Sequence, residues 1–235
     1  MPATATDAPQ SPRMRDSAQR RVRGLYAVTP DLADTGELVA RVRAAIDGGA
    51  TVIQYRNKTA SGGLRGEQAL ALLHACAARA ALIVNDDAAL AARIGADGVH
   101  VGEHDGDVAA ARAIVGGRAI IGVSCYDTFD TARAAVDAGA DYVAFGSFFP
   151  SRTKPGARHA ELSLLHRARA LPVPVVAIGG ITLANAATLV DAGADALAVI
   201  SAVFDQPSLA DVTVAARAFA QAFDGRVARL AKAAR

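Results

Sequence analysis

Apolar residues along the chain fall into two alternating kinds of segment. Short runs rich in Val, Ile, Leu and Ala are separated by longer Ala-rich stretches. In the latter, apolar positions recur at helical spacing, as at Leu38, Val42 and Ile46. The short runs are bounded by turn-forming residues and are the length of strands. They predict strands at 25–29, 51–55, 82–84, 98–101, 119–122, 142–145, 174–178 and 196–200, with amphipathic helices between them. Regular alternation of strand and helix implies successive βα units and a parallel sheet covered by helices.

An internal repeat sharpens this picture. Gly49-Ala50-Thr51, Gly95-Ala96-Asp97, Gly139-Ala140-Asp141 and Gly193-Ala194-Asp195 recur at spacings of 46, 44 and 54 residues. Each ends a predicted helix and begins an even-numbered strand. A left-handed glycine just past a helix stops it, so each occurrence marks a tight αβ turn. Two βα units per repeat, four times over, lead us to expect a closed (β/α)8 barrel in preference to an open doubly wound sheet. The fold class is α/β, a single TIM barrel over 24–235 preceded by a disordered tail over 1–23.

Length and composition agree. The chain has 235 residues, close to the roughly 250 of one such barrel. Hydrophobic residues make up 52% but aromatics only 5%, and Trp is absent. The interior must therefore be filled by small and branched aliphatics. With 25 basic against 23 acidic residues and a net charge of +2, nothing suggests nucleic acid as a partner, and any anion site must be local. Cys76 and Cys125 have no metal or redox spacing and read as reduced packing residues of a cytoplasmic protein. No apolar run approaches the roughly 18 residues of a membrane span. The tail carries Arg13, Arg15, Arg20, Arg21 and Arg23 but also Asp7 and Asp16, which favours a solvated segment over a transit peptide. The basic end over 226–235 reads as the polar face of a last helix.

Polar residues gather where the strands end, the side on which this fold places chemistry. Gln54, Arg56 and Lys58 leave strand 2 at alternate positions and project to one side. Arg offers a planar fork and Lys a point charge, a pair suited to phosphate. Asn85-Asp86 follows strand 3, and His100 ends strand 4 ahead of Glu103, His104 and Asp105. Carboxylates beside cations suit a hard metal bridging to phosphate oxygens, and Mg2+ fits best. Asp86 and Asp105 read equally well as helix N-caps near Asp87 and Asp107. Ser124 ends strand 5. The loop over 151–156 supplies Ser151, Thr153 and Lys154, and Gly179-Gly180 after strand 7 permits close backbone approach to a ligand. Thr182 reads as an N-cap. Ser201 follows strand 8. His74, His159 and His166 have no evident partner, and Cys125 no base that would make it a nucleophile.

Taken in order, Gln54-x-Arg56-x-Lys58, Asn85-Asp86, Gly98-Val99-His100-Val101-Gly102-x-x-Asp105, Gly122-Val123-Ser124, Pro150-Ser151-x-Thr153-Lys154, Ala177-Ile178-Gly179-Gly180-Ile181 and Val199-Ile200-Ser201 resemble the thiamine phosphate synthase family over nearly the whole ordered chain. The resemblance implies a (β/α)8 barrel that joins 4-amino-2-methyl-5-hydroxymethylpyrimidine diphosphate to a thiazole phosphate, with Mg2+ as cofactor and these small molecules as its partners. By matching position it implies that Asp86 and Asp105 bind the metal. Arg56, Lys58, Asn85 and Lys154 would hold the diphosphate, Gln54 the pyrimidine side, and Ser124 would sit near the breaking bond. Ser151, Thr153, Gly180, Ile200 and Ser201 would hold the thiazole phosphate, the last two through backbone groups. Ser124, Lys154, Arg56 and Lys58 are thus the expected catalytic set.

Three positions depart from the family pattern. Glu103 stands where Gln is usual, Ser151 where Thr is usual, and Asn57 where the motif commonly reads Arg-Glu-Lys. Glu103 adds a carboxylate near Asp105, with consequences for metal affinity or the pyrimidine contact. The alternative readings are a thiazole tautomerase of the same fold and a non-catalytic binder of thiamine precursors. Retained Lys58, Asp86, Asp105 and Lys154 count against both. A homo-oligomer is compatible with the sequence, which leaves that point open.

Overall fold

The computed structural model describes residues 21–102, 107–150 and 159–233. Eight parallel strands close into a barrel in sequence order, β1 pairing with β2 on one side and with β8 on the other, which excludes the open sheet. The strands are β1 Gly24–Val28, β2 Ala50–Tyr55, β3 Ala81–Asn85, β4 Gly98–Val101, β5 Ile120–Tyr126, β6 Tyr142–Phe145, β7 Val175–Ile178 and β8 Ala196–Val199. Around them run α1 Thr35–Asp47, α2 Gly62–Cys76, α3 Ala88–Ile94, α4 Val108–Val115, α5 Phe129–Asp137, α6 Leu162–Ala168, α7 Leu183–Ala192, the short α8 Ser201–Phe204 and α9 Leu209–Ala233. Sequence placed each strand within a few residues. The largest difference is β5, expected over 119–122. The alternation continues through the buried Val123 and Cys125, so the strand carries on past Ser124 to Tyr126.

Period-two alternation divides the strands between two cores. Leu25, Ala27, Ile53, Leu82, Val99, Ile121, Val143, Val175 and Leu197 belong to the large core between sheet and helices. Tyr26, Val28, Val52, Ile83, Ile120, Tyr142, Ala144, Val176 and Ala198 fill the barrel itself.

The repeated glycines behave as expected. Gly49, Gly95, Gly139 and Gly193 have φ of +104°, +70°, +97° and +129°, a region where a side chain is strained. The aspartate of the repeat has a role that sequence did not suggest. Asp97, Asp141 and Asp195 each accept a hydrogen bond from a backbone N–H at the start of the preceding odd strand: Leu82 at 2.8 Å, Ile121 at 2.9 Å and Val175 at 3.0 Å. In the remaining repeat Thr51 occupies the position and its hydroxyl donates to the carbonyls of Arg23 and Leu25. The lower rim is therefore stitched strand to strand by one side chain per repeat.

An arginine neutralises each aspartate. Arg112 pairs with Asp141 at 2.6 Å, Arg21 with Asp97 at 2.6 Å and Arg23 with Asp195 at 3.0 Å. Between the last two arginines Val22 is fully buried as part of the barrel interior. Residues 21–23 thus belong to the folded body, ahead of the expected boundary at Gly24; the rest of the tail, 1–20, lies outside the described residues. Among the described residues no helix is long and apolar enough to cross a membrane.

Both cysteines are free and buried. Burial disfavours the thiolate and pushes each thiol from 9.0 up to about 12. This makes them poor nucleophiles and has a consequence for stability. The folded chain keeps these protons where the unfolded chain has begun to lose them. Their contribution is fully present below pH 9 and falls as pH rises toward about 12, by up to about 1.4 kcal/mol per pH unit for each thiol. We expect urea midpoints, measured under reducing conditions, to decline across this range and the decline to be shallower in Cys76→Ala and Cys125→Ala. A decline of the same slope in both variants would contradict it.

Candidate active site

The loop after β2 is held firmly before any ligand arrives. Thr29 Oγ1 donates to the Arg56 carbonyl at 2.8 Å and accepts from the Arg56 N–H at 2.9 Å. Asp31 accepts from the Lys58 N–H at 2.9 Å and lies 3.2 Å from the Arg56 guanidinium. Asn57 is buried; its amide donates to the Leu32 carbonyl at 2.8 Å and to Gln68 Oε1 at 3.0 Å, while its own Oδ1 accepts from Thr59 and Ala60. A glutamate there would lack both donors, so in this chain the amide suits its neighbours. Sequence missed Thr29, Asp31 and Gln68, because each precedes or lies far from the motif it supports.

Lys58 and Asp86 are brought together across the strand ends, Nζ to Oδ2 at 3.9 Å. Asp86 has a φ of +64°, uncommon for a residue with a side chain. Its N–H donates to the His100 carbonyl at 2.8 Å, which fixes it against β4. The N-cap reading of Asp86 is overturned. Asp87 caps α3 by accepting from the Leu90 N–H at 2.7 Å, and Asp107 caps α4 by accepting from the Ala110 N–H at 2.6 Å. Each of these helix starts thus has its own cap, and neither is Asp86. Asn85 ends β3 beside it.

Glu103, His104, Asp105, Ser151, Thr153 and Lys154 lie outside the described residues. Among the described residues no three His, Cys, Asp or Glu side chains gather as a metal cage. Gly180, Ile200 and Ser201, three of the positions expected to hold the thiazole phosphate, follow β7 and β8, with Ser201 opening α8. Gly179 and Gly180 have an additional reason to be glycine. A Cβ on Gly179 would overlap Ser147, and one on Gly180 would overlap the carbonyls of Phe149 and Pro150, so the loop after β6 packs directly on their backbone. Thr182 caps α7 as expected, its N–H donating to Asn185 Oδ1 at 2.8 Å.

Deeper in the barrel, polar side chains form one connected row. Gln54 Nε2 donates to Tyr26 Oη at 2.9 Å, and Tyr26 and Tyr142 hydroxyls lie 2.7 Å apart. The Tyr142 hydroxyl is 2.9 Å from His100 Nδ1, and His100 Nε2 is 2.9 Å from Ser124 Oγ. Burial pushes both phenols above their ordinary value of 10.0, so both remain protonated. Gly122 makes the room, since a Cβ there would fall within the Tyr142 ring. The tyrosines were missed because a Tyr in an apolar run reads as core; the detectable signal was Gly122 in a strand otherwise rich in branched residues. His74, His159 and His166 are exposed.

A family model described as thiamine monophosphate synthase matches residues 25–203. The chain is 56% identical over 207 residues to a thiamine-phosphate synthase from Chromobacterium violaceum, covering 88% of this chain and 99% of that protein. It is 53% identical over 204 residues to one from Methylobacillus flagellatus, covering 86% and 96%. A solved thiamine phosphate pyrophosphorylase from Pyrococcus furiosus superposes with a TM-score of 0.78 at 32% identity, covering 88% of this chain and 98% of that one.

Proposed function

The chain belongs to the thiamine monophosphate synthase family and makes thiamine phosphate; from that premise we propose how its residues divide the work. The substrates are 4-amino-2-methyl-5-hydroxymethylpyrimidine diphosphate and 4-methyl-5-(2-phosphoethyl)thiazole or its carboxylated form. The products are thiamine phosphate and diphosphate, with carbon dioxide in addition when the thiazole is carboxylated. The observation that carries this reading is the meeting of Lys58 and Asp86 across the strand ends, in a barrel whose buried polar row ends on Ser124.

The donor set suits Mg2+. The Asp86 carboxylate is spared from capping, and this ion is commonly held by one or two carboxylates with phosphate oxygens and waters completing its shell. Asp86, with Asp105 as the second carboxylate, would hold it. When bound, the ion supplies positive charge to the diphosphate oxygens. Arg56, kept in place by Asp31, acts on the same group together with Lys58, Asn85 and Lys154, while Gln54 orients the pyrimidine. Ser151, Thr153, Gly180, Ile200 and Ser201 hold the monophosphate of the thiazole.

The chemistry asks little of acids and bases. The bond between the methylene carbon and the diphosphate oxygen breaks, and its electron pair leaves with the oxygen. The thiazole nitrogen then gives its lone pair to that carbon. No proton is removed from the nucleophile, so the protein's task is to neutralise the departing charge and to align the two rings.

Purified protein given both substrates and Mg2+ is expected to form thiamine phosphate and diphosphate in equal amounts, measured by separating the products. Chelation with EDTA should stop the reaction and fresh Mg2+ restore it. Absence of free diphosphate would instead favour a thiazole tautomerase or a non-catalytic binder.

A further inference from the structure

The row from Gln54 to Ser124 is unusual for a barrel interior. A hydroxyl buried at this depth costs free energy unless it is bonded, and a phenylalanine would fill the same volume without that demand. Tyr26 and Tyr142 are nevertheless fully enclosed, and neither hydroxyl is satisfied by backbone. Each bonds to another side chain in the row.

The polarity of the row follows from counting hydrogens. The Gln54 amide donates to Tyr26. The two phenols lie 2.7 Å apart and either could donate, but with Gln54 already donating to Tyr26, both buried hydroxyl hydrogens are bonded only when Tyr26 gives its own to Tyr142 and Tyr142 gives its own to His100 Nδ1. An imidazole that accepts at Nδ1 carries its hydrogen on Nε2, and that hydrogen goes to Ser124 Oγ. The serine accepts from below and keeps its own hydrogen for whatever lies above it. The ring planes hold this arrangement: His100 stacks on Tyr142 at 5.6 Å and 24°, and Tyr142 meets Tyr26 edge-on at 5.9 Å and 61°.

We propose that Tyr26, Tyr142 and His100 are positioning residues, a directional relay that makes the Ser124 hydroxyl a hydrogen-bond donor to the oxygen of the departing diphosphate. This rests on the reading that Ser124 faces the breaking bond. No proton crosses the relay. The breaking bond leaves its electron pair on the diphosphate oxygen, and the serine hydrogen bond strengthens as charge collects there, which is where a fixed donor lowers a barrier.

Tyr142→Phe removes one hydroxyl and little volume. It is expected to lower kcat by about tenfold or more with KM for either substrate changed less than about threefold, the pattern of an interaction made in the transition state. Combined with Ser124→Ala it should be no worse than Ser124→Ala alone, because the relay acts only through the serine. Nitrogen-15 spectra of the histidine rings should show His100 as the Nε2–H tautomer in the unaltered protein. Tyr26→Phe, one link farther away, provides the same kinetic test should Tyr142→Phe fold poorly. Full kcat in both tyrosine variants beside an impaired Ser124→Ala would overturn the relay and leave the site assignment standing. Full kcat in Ser124→Ala would remove both. Additive losses, or an Nδ1–H tautomer, would reduce the row to a packing element.

Discussion

Asp86→Asn is expected to lower kcat/KM by on the order of 10²–10³-fold and to raise the Mg2+ concentration needed for half-maximal rate. Asparagine is the informative replacement. It tolerates the left-handed backbone that Asp86 adopts at φ +64°, whereas alanine there adds about 1–2 kcal/mol of strain. The size of the loss decides what Asp86 does. Its ion pair with Lys58 spans 3.9 Å, with the lysine more than half exposed, and such a pair contributes no more than about 1 kcal/mol. Loss of that pair alone would change the rate by about fivefold. A drop of two orders of magnitude with an altered Mg2+ titration is the result expected of a carboxylate that acts on the metal. Unchanged Mg2+ dependence in a folded variant would falsify the assignment.

At the other end of the barrel the largest effect is on stability. Asp141→Ala is expected to cost about 3 kcal/mol and lower Tm by about 6–12 °C, at roughly 2–4 °C per kcal/mol for a domain of this size. The Asp141 side chain is 2% exposed, and it holds both the Ile121 N–H and the Arg112 guanidinium. Arg112 also donates to the carbonyls of Gly116, Ala119 and Gly139. Removing the carboxylate leaves a buried donor without its partner and a largely enclosed cation without its counter-charge. Asp97 and Asp195 occupy the same place in the repeat, but their side chains are 27% and 22% exposed and their arginines 41% and 61%. Water can replace much of what they lose, so Asp97→Ala and Asp195→Ala should cost about 1 kcal/mol. Thermal unfolding of the three variants tests the ranking; equal losses would show that burial does not set it. Because all three lie far from the strand ends that carry the chemistry, turnover below the transition should be unchanged.

The architecture was largely readable from the chain because it rests on local rules. Strand placement follows from short apolar runs, buried at successive positions as in Val52 and Ile53 or Val175, Val176 and Ala177. The helix stops follow from glycines that the structure holds at positive φ. What escaped notice depends on partners distant in sequence. Asp31 acts on Arg56 and Lys58 only once β1 and β2 lie side by side. Tyr26 and Tyr142, far apart in the chain, become one unit inside the closed barrel. The repeat showed its glycine at once but not its aspartate, since the backbone N–H groups that aspartate serves belong to the preceding strand. Asp86 shows the reverse. Local rules offered a cap, and only the observed cap at Asp87 removed that reading.

The position of Val22 matters for anyone wishing to attach this enzyme to something else. Arg21 and Arg23 fasten the chain to Asp97 and Asp195 on the side opposite the strand ends at which this fold places chemistry. A fusion partner, a surface or a second enzyme joined directly at Arg21 would therefore be attached at the underside. Trimming that removed Val22 itself would pull the stopper from the barrel's floor.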